Sequence, residues 1–250
     1  MKLPRMVADA ASAFQFLTRV PMPRLAYDTK ALSRSAKFFP LAGLVIGLAT
    51  ALLFVGLLPH LPAAVAALGA VLFTTVVTGG LHEDGLADAA DGFGGGWRRE
   101  QVLEILRDSR IGSYGAIAVA FSILSRTLLI AALPRALAVQ YLVAAHVLCR
   151  WTVLPLGCVL PAARNDSGQG ARLARQISVL SLAMGSIFAI ATAAYLLRAS
   201  ASTAVLAALA VTALSGLYYH RRIGGVTGDC FGATMQLTEI AVYFTGVWRA

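Results

Sequence analysis

Four of the chain's twelve acidic residues fall within nine positions: Glu83, Asp84, Asp88 and Asp91. On a helix, Asp84, Asp88 and Asp91 stand at i, i+4 and i+7 and share one face, with Glu83 beside it. Carboxylates crowded in this way repel one another and stay ionised only when a cation neutralises them. The donors are hard oxygens with no soft ligand among them, so the spacing predicts Mg²⁺ or Mn²⁺ held by Glu83, Asp84, Asp88 and Asp91. A solvated acidic turn is the plainer alternative, but it does not explain why such scarce acids gather at the mouth of an apolar stretch. Gly92, Gly94, Gly95 and Gly96 follow the cluster. Such a backbone can approach a phosphate closely or serve simply as a loose turn.

Two further segments have the composition of anion sites. Arg107-Asp108-Ser109-Arg110-Ile111-Gly112 places two guanidiniums around an Asp-Ser pair. Arginine forks match phosphate oxygens, so Arg110, Ser109 and Gly112 become candidates for binding a diphosphate, and Ser109 for capping the next helix. A basic anchor at a membrane surface is the competing view. Arg221 to Gly232 joins two arginines, four glycines, Thr227 and Asp229 at a helix start, where backbone N–H groups bind anions readily. Arg222, Thr227 and Asp229 are candidates there, with Asp229 as a simple N-cap the alternative. His146 and Arg150 stand four apart in an apolar stretch and share a face; buried ionisable groups in a membrane are costly and usually functional. Arg126 lies deep in another stretch and needs a partner, for which Glu239 is the acid comparably embedded.

The elements that must position these residues are helices in a membrane. The 250 residues are 58% hydrophobic and 13% charged. A soluble domain carries about 25% charged residues, so lipid must cover much of this surface. Mean hydropathy is +0.73. Seven apolar stretches, at about 40–58, 62–80, 114–133, 136–160, 177–197, 202–219 and 231–248, approach the roughly 20 residues a span needs. None alternates with a period of two, so strands do not compete. Residues 6–20 carry Met6, Ala10, Ala13, Phe14 and Leu17 on one face, as an interfacial amphipathic helix or an ordinary packing helix would. The expectation is an all-α, polytopic helical bundle of about seven spans, forming one integral membrane domain over 1–250, with that helix at its N-terminus.

The net charge of +9 fits basic loops that set topology better than it fits nucleic acid. With the N-terminus in the cytoplasm, sixteen Lys and Arg fall in inner segments and three in outer ones. All the polar, glycine-rich segments then lie on the cytoplasmic side. No signal peptide precedes the first apolar run, and Cys149, Cys158 and Cys230 form no paired framework.

These segments together resemble the cobalamin synthase (adenosylcobinamide-GDP ribazoletransferase) family. The resemblance is carried by Phe16-Leu17-Thr18-Arg19-Val20-Pro21, Phe38-Phe39-Pro40-Leu41-Ala42-Gly43, His82 through Gly92, Asp108-Ser109-Arg110-Ile111-Gly112, Ala145-His146-Val147-Leu148-Cys149-Arg150-Trp151 and Gly224 through Asp229. Cys149 stands where the family usually has Ser. The resemblance implies a bacterial inner-membrane enzyme that needs Mg²⁺ and transfers adenosylcobinamide phosphate from adenosylcobinamide-GDP to α-ribazole or its 5′-phosphate, releasing GMP. Asp84, Asp88, Asp91 and Asp108 are the expected catalytic residues, with Asp88 or Asp108, as a carboxylate not fully engaged by metal, the expected proton acceptor. Arg19, Ser109, Arg110, Gly112, His146, Arg150, Arg222, Thr227 and Asp229 are then expected to bind substrate. The lipid bilayer is the expected partner, nucleic acid is not, and a homo-oligomer is left open.

Other classes fit less well. A CDP-alcohol phosphotransferase needs Asp-Gly-x-x-Ala-Arg, and here Asp84-Gly85 is followed by Leu86-Ala87-Asp88. A cation transporter tends to hold its acids mid-membrane in repeated halves, and no second copy of the cluster exists. GxxxxGK[ST], GxSxG and HExxH are absent.

Overall fold

A computed structural model describes residues 4–22, 31–164, 173–174 and 177–248. Its helices are α1 (Arg5–Leu17), α2 (Ala31–Ser35), α3 (Phe39–Leu57), α4 (Ala63–Thr78), α5 (Leu81–Gly95), α6 (Arg99–Ile105), α7 (Ser113–Ala132), α8 (Ala138–Trp151), α9 (Val153–Val159), α10 (Val179–Leu197), α11 (Ala201–Ile223) and α12 (Gly228–Trp248). Among the described residues the sole β-type pairing is an isolated parallel bridge between Ala162 and Val226. The all-α helical bundle expected from the sequence is what forms.

α8 is the central column. Every residue from Tyr141 to Trp151 is buried, as expected for a helix that is apolar nearly all round. α3 packs closest to it. A side chain at Gly43 would collide with the His146 carbonyl, and one at Gly47 with the Val143 Cα. Small residues let these backbones approach where lipid supplies no hydrophobic drive for association. Leu52, Phe121, Ile187 and Leu214 point outward on α3, α7, α10 and α11 and make the apolar coat.

Ala31–Leu57, Ser113–Ala132, Ala138–Val159 and Val179–Ile223 are long and apolar enough to cross a membrane. The 45-residue stretch Val179–Ile223 reverses at Arg198, where φ is 50°. Gly185 on α10 lies against Leu154 and Gly216 on α11 against Leu156, so both arms return to α9. The expected stretch 62–80 forms a single helix that stops just short of its expected end. α4 ends at Thr78, and Gly79 and Gly80 are both left-handed (φ 68° and 72°), turning the chain by 90° into α5. Two successive left-handed residues need glycine, because a Cβ there costs roughly 1–2 kcal/mol each. The bend carries the acidic segment away from the axis of α4.

α1 buries Ala13 and Leu17 against the bundle and leaves Met6 exposed. Asp9, a surface acid by its sequence context, is buried with Arg34 at 3.1 Å and Lys37 at 3.2 Å.

Candidate active site

α5 lies along α7 and crosses α12 where Gly85 meets Gly232. A side chain on either glycine would come within 3.2 Å of the other's Cα. This contact brings Asp229, in the first turn of α12, to the acidic face of α5.

The four clustered acids divide by environment. Glu83 is buried; its Oε1 accepts from Arg126 Nη2 at 2.9 Å and from the Thr75 hydroxyl at 3.0 Å. Asp91 is also buried and accepts from the backbone N–H groups of Gly112 at 2.7 Å and Gly115 at 2.8 Å. It satisfies amide donors at the start of α7 that have no partner within the helix. Ser109 does not cap α7; the residue before that helix is Gly112, and the carboxylate comes from α5. Asp84 is exposed and Asp88 half-buried. Asp229, Asp84 and Asp91 all act on Asp88 with like charge, offset in part by Arg164. The single acidic face expected from the spacing is therefore two tethered acids and two that are not tied down.

Two cavities meet at Asp84. The larger, about 800 Å³, is lined by Arg19, Thr78, Gly79, Gly80, Glu83 and Asp84, among others. Arg19 is exposed, and its side chain crosses Gly79 so closely that a Cβ there would collide with Nε. The smaller, about 140 Å³, lies between α1, α5, α9 and α12 and is mostly apolar, with Asp84 and Asp229 among its lining.

The remaining candidates are distributed around this centre. Thr227 is buried and caps α12, its hydroxyl accepting from the Cys230 N–H at 3.5 Å and donating to Asp229 at 3.1 Å. Asp229 is not the N-cap; it pairs with Arg164 at 3.6 Å. Arg222 donates to the Gly96 carbonyl at 2.6 Å and lies over Phe93 and Tyr218, so it holds the C-terminal end of α5 rather than opening to a ligand. Arg99 makes the companion clamp, donating to Ile223 at 2.9 Å and Ala163 at 2.7 Å. Arg110 forks Asp108, with Nε and Nη2 at 2.9 and 2.5 Å, and both lie toward solvent with Ser109. Those bonds hold the Asp108 carboxyl down at about 2, so it is a poor proton acceptor.

His146 and Arg150 do share a face, with Arg150 Nη1 3.1 Å from His146 Nδ1, but both are fully buried and line neither cavity. They belong to an interior polar cluster with Arg126 and Glu239, which are 3.8 Å apart. Arg126 thus meets its expected partner only loosely and bonds Glu83 more closely.

Among the described residues, the three side chains whose ligand atoms lie within 4.8 Å of one another are His146, Cys149 and Glu239. Arg150 reaches both His146 and Cys149, and Arg126 faces Glu239. Two guanidiniums already supply the positive charge there, which disfavours a cation. Asp84 and Asp88, with Asp229 acting on Asp88 by like charge, are the better match to Mg²⁺, since all three offer oxygen donors. Sequence reasoning treated Arg164 and Arg99 only as topology charges. Their partners lie 65 and 124 residues away, and no local pattern announces them.

The sequence model of a family described as Cobalamin-5-phosphate synthase matches residues 9–247. The chain is 43% identical to an adenosylcobinamide-GDP ribazoletransferase of Azorhizobium caulinodans, over 96% of each chain. It is 37% identical to the enzyme of that name in Ralstonia nicotianae, over 92% of this chain and 91% of the relative. For the one in Shewanella baltica the figures are 35%, 93% and 90%. No solved structure matches. With the family model spanning nearly the whole chain, this protein belongs to the cobalamin-5-phosphate synthase family.

Proposed function

We propose that this protein transfers adenosylcobinamide phosphate from adenosylcobinamide-GDP to a ribose hydroxyl of α-ribazole or its 5′-phosphate. The products are adenosylcobalamin, or its 5′-phosphate, and GMP, late in cobalamin biosynthesis. The observation that carries this reading is Asp84, which lines a cavity edged by Arg19 and acts with Asp229 on Asp88 by like charge.

Arg19 suits the diphosphate oxygens, since its planar fork matches them and the cavity is roomy enough for a nucleotide-sized group. Asp84, Asp88 and Asp229 would hold Mg²⁺, which when bound offsets diphosphate charge and makes phosphorus a better electrophile. The attacking hydroxyl would give its proton to whichever carboxylate oxygen of Asp84 or Asp88 the metal leaves free. Glu83 and Asp91 keep α5 in register against α7, so the reacting groups meet in a fixed geometry. The test is to incubate detergent-purified protein with adenosylcobinamide-GDP and α-ribazole. GMP release that requires both substrates and stops on chelation of Mg²⁺ is expected; no GMP at saturating substrates and Mg²⁺ would refute the reading.

We also place the protein in the bacterial inner membrane with this site facing the cytoplasm, supported by the sixteen-to-three bias of basic residues. A reporter fused after Ala250 is expected to read as periplasmic, and one inserted near Gly168, outside the described residues, as cytoplasmic. Both reading on one side would make the count of seven crossings wrong by one.

A further inference from the structure

We infer that the groove between α9 and α11 binds one acyl chain of an anionic phospholipid, with the lipid phosphate at His220 and Arg221. The inference goes beyond the reaction proposed above and uses only the membrane-spanning character of these helices.

The groove holds about 410 Å³ and is walled by Trp151, Leu156 and Leu160 on one side and by Leu209, Ala213 and Leu217 on the other. Leu209 and Leu217 are exposed, so the groove opens outward to lipid. Two of its polar side chains are already engaged inside the protein. The Thr212 hydroxyl donates to the Ala208 carbonyl at 2.6 Å, and the Trp151 indole donates to the Ser186 hydroxyl at 2.8 Å. His220 is the remaining polar side chain of the lining, and it stands at one end. From Leu209 to His220 the helix rises about 16 Å. That is close to half of a hydrocarbon core about 30 Å thick. One acyl chain laid along the groove therefore runs from headgroup depth to the midplane.

The basic end selects the headgroup. Arg221 is exposed beside His220, whereas Arg222 is committed to the Gly96 carbonyl. A guanidinium at headgroup depth forks phosphate oxygens, and an anionic lipid brings a net charge for it to neutralise where phosphatidylcholine does not. The Ala162–Val226 bridge lies beyond this end, so the site belongs to the leaflet on the side of Asp229. A second copy of this chain fits the groove less well. Both copies cross the bilayer in one orientation, so a two-fold pairing through α11 sets Arg221 beside its own equivalent, and like charges oppose that contact.

Quenching of tryptophan by brominated lipid tests the site in the full chain. The chain has three tryptophans, and Trp97 and Trp248 are exposed. Trp97→Phe with Trp248→Phe leaves Trp151 as the sole reporter. This protein is reconstituted in vesicles of dibrominated phosphatidylcholine mixed with rising amounts of unlabelled phosphatidylglycerol. Trp151 is expected to be quenched in the pure brominated lipid. It should recover about half of the lost emission when roughly one lipid in ten is phosphatidylglycerol, as a preference on the order of tenfold requires. Arg221→Gln should keep the quenching and lose the preference, so that recovery follows the mole fraction. Arg198→Gln, at the opposite end of the α10–α11 hairpin, should keep both. Ala213→Phe, which fills the groove, should reduce the quenching itself, and Leu209→Phe carries the same test should that variant not insert. Recovery in proportion to mole fraction in the Trp151 reporter protein would overturn the headgroup site, as would a preference that survives Arg221→Gln. An unquenched Trp151 would put a protein surface, such as a second copy, in the groove and overturn the inference. No turnover is measured, so each of these results leaves the proposed reaction standing.

Discussion

Replacing Arg126 by alanine is expected to be among the most destabilising single changes in this protein, by about 3–5 kcal/mol. Arg126 is fully buried on α7, bonded to Glu83 of α5 at 2.9 Å and 3.8 Å from Glu239 of α12. Its removal leaves two carboxylates in the interior with Arg150 as the remaining guanidinium of the cluster and no bonded cation on Glu83. Glu239 would keep the Tyr243 hydroxyl at 3.1 Å and Glu83 the Thr75 hydroxyl, neither of which neutralises charge. Arg126→Lys keeps the charge but loses the fork and should fall between wild type and Arg126→Ala. Arg126→Leu combined with Glu83→Gln and Glu239→Gln removes the stranded charges and should recover much of the loss. Denaturant unfolding in detergent micelles measures all three. An Arg126→Ala variant within about 1 kcal/mol of wild type would mean that water or a shifted side chain already solvates the site, and that the pair does not hold α5 to α7.

How much of this the sequence displays depends on the range of the interaction. The acidic segment is conspicuous because acids are scarce along the chain, and the i, i+4 spacing of His146 and Arg150 correctly places them side by side. The division of the four acids is not visible. It depends on Arg126, 43 residues from Glu83, and on the Gly112 and Gly115 amides, more than 20 residues from Asp91. Periodicity reports a shared face, not what stands opposite it. Asp9 fails for the same reason, since its partners Arg34 and Lys37 arrive from beyond the end of its own helix. The bend after Thr78 was written in Gly79-Gly80, but hydropathy averages over such a pair and extends the apolar stretch through it. Arg222 has the composition of a phosphate ligand, and only the placement of the Gly96 carbonyl shows that it closes α5. Long apolar helices are legible because lipid dictates them locally; which polar groups they bring together is a tertiary fact.

The same division gives the second large effect, a double dissociation among the four acids. Asp84→Asn and Asp88→Asn keep the side-chain size and remove a charge from the untethered pair. Each is expected to lower kcat on the order of 10²-fold or more, since comparable electrostatic groups are worth about 3–4 kcal/mol in the transition state. Each should also weaken Mn²⁺ binding to substrate-free protein, measured directly by titration. Stability without metal should hold or rise, because Asp88 is repelled by Asp84, Asp91 and Asp229 and one repulsive charge is gone. Glu83→Gln and Asp91→Asn should behave oppositely. Glu83 is tied to Arg126 and Asp91 to two amides, so their loss lowers the unfolding temperature. For Asp91 the loss is about that of a helix cap, roughly 0.5–2 kcal/mol. Their Mn²⁺ affinity should stay close to wild type even where turnover drops with the register of α5. Glu104→Gln, exposed on α6, should change neither quantity. Mn²⁺ binding that weakens equally in all four acid variants would return Glu83 and Asp91 to the ligand set. Unchanged binding and near-normal turnover in Asp84→Asn and Asp88→Asn would remove the metal from this face of α5 altogether.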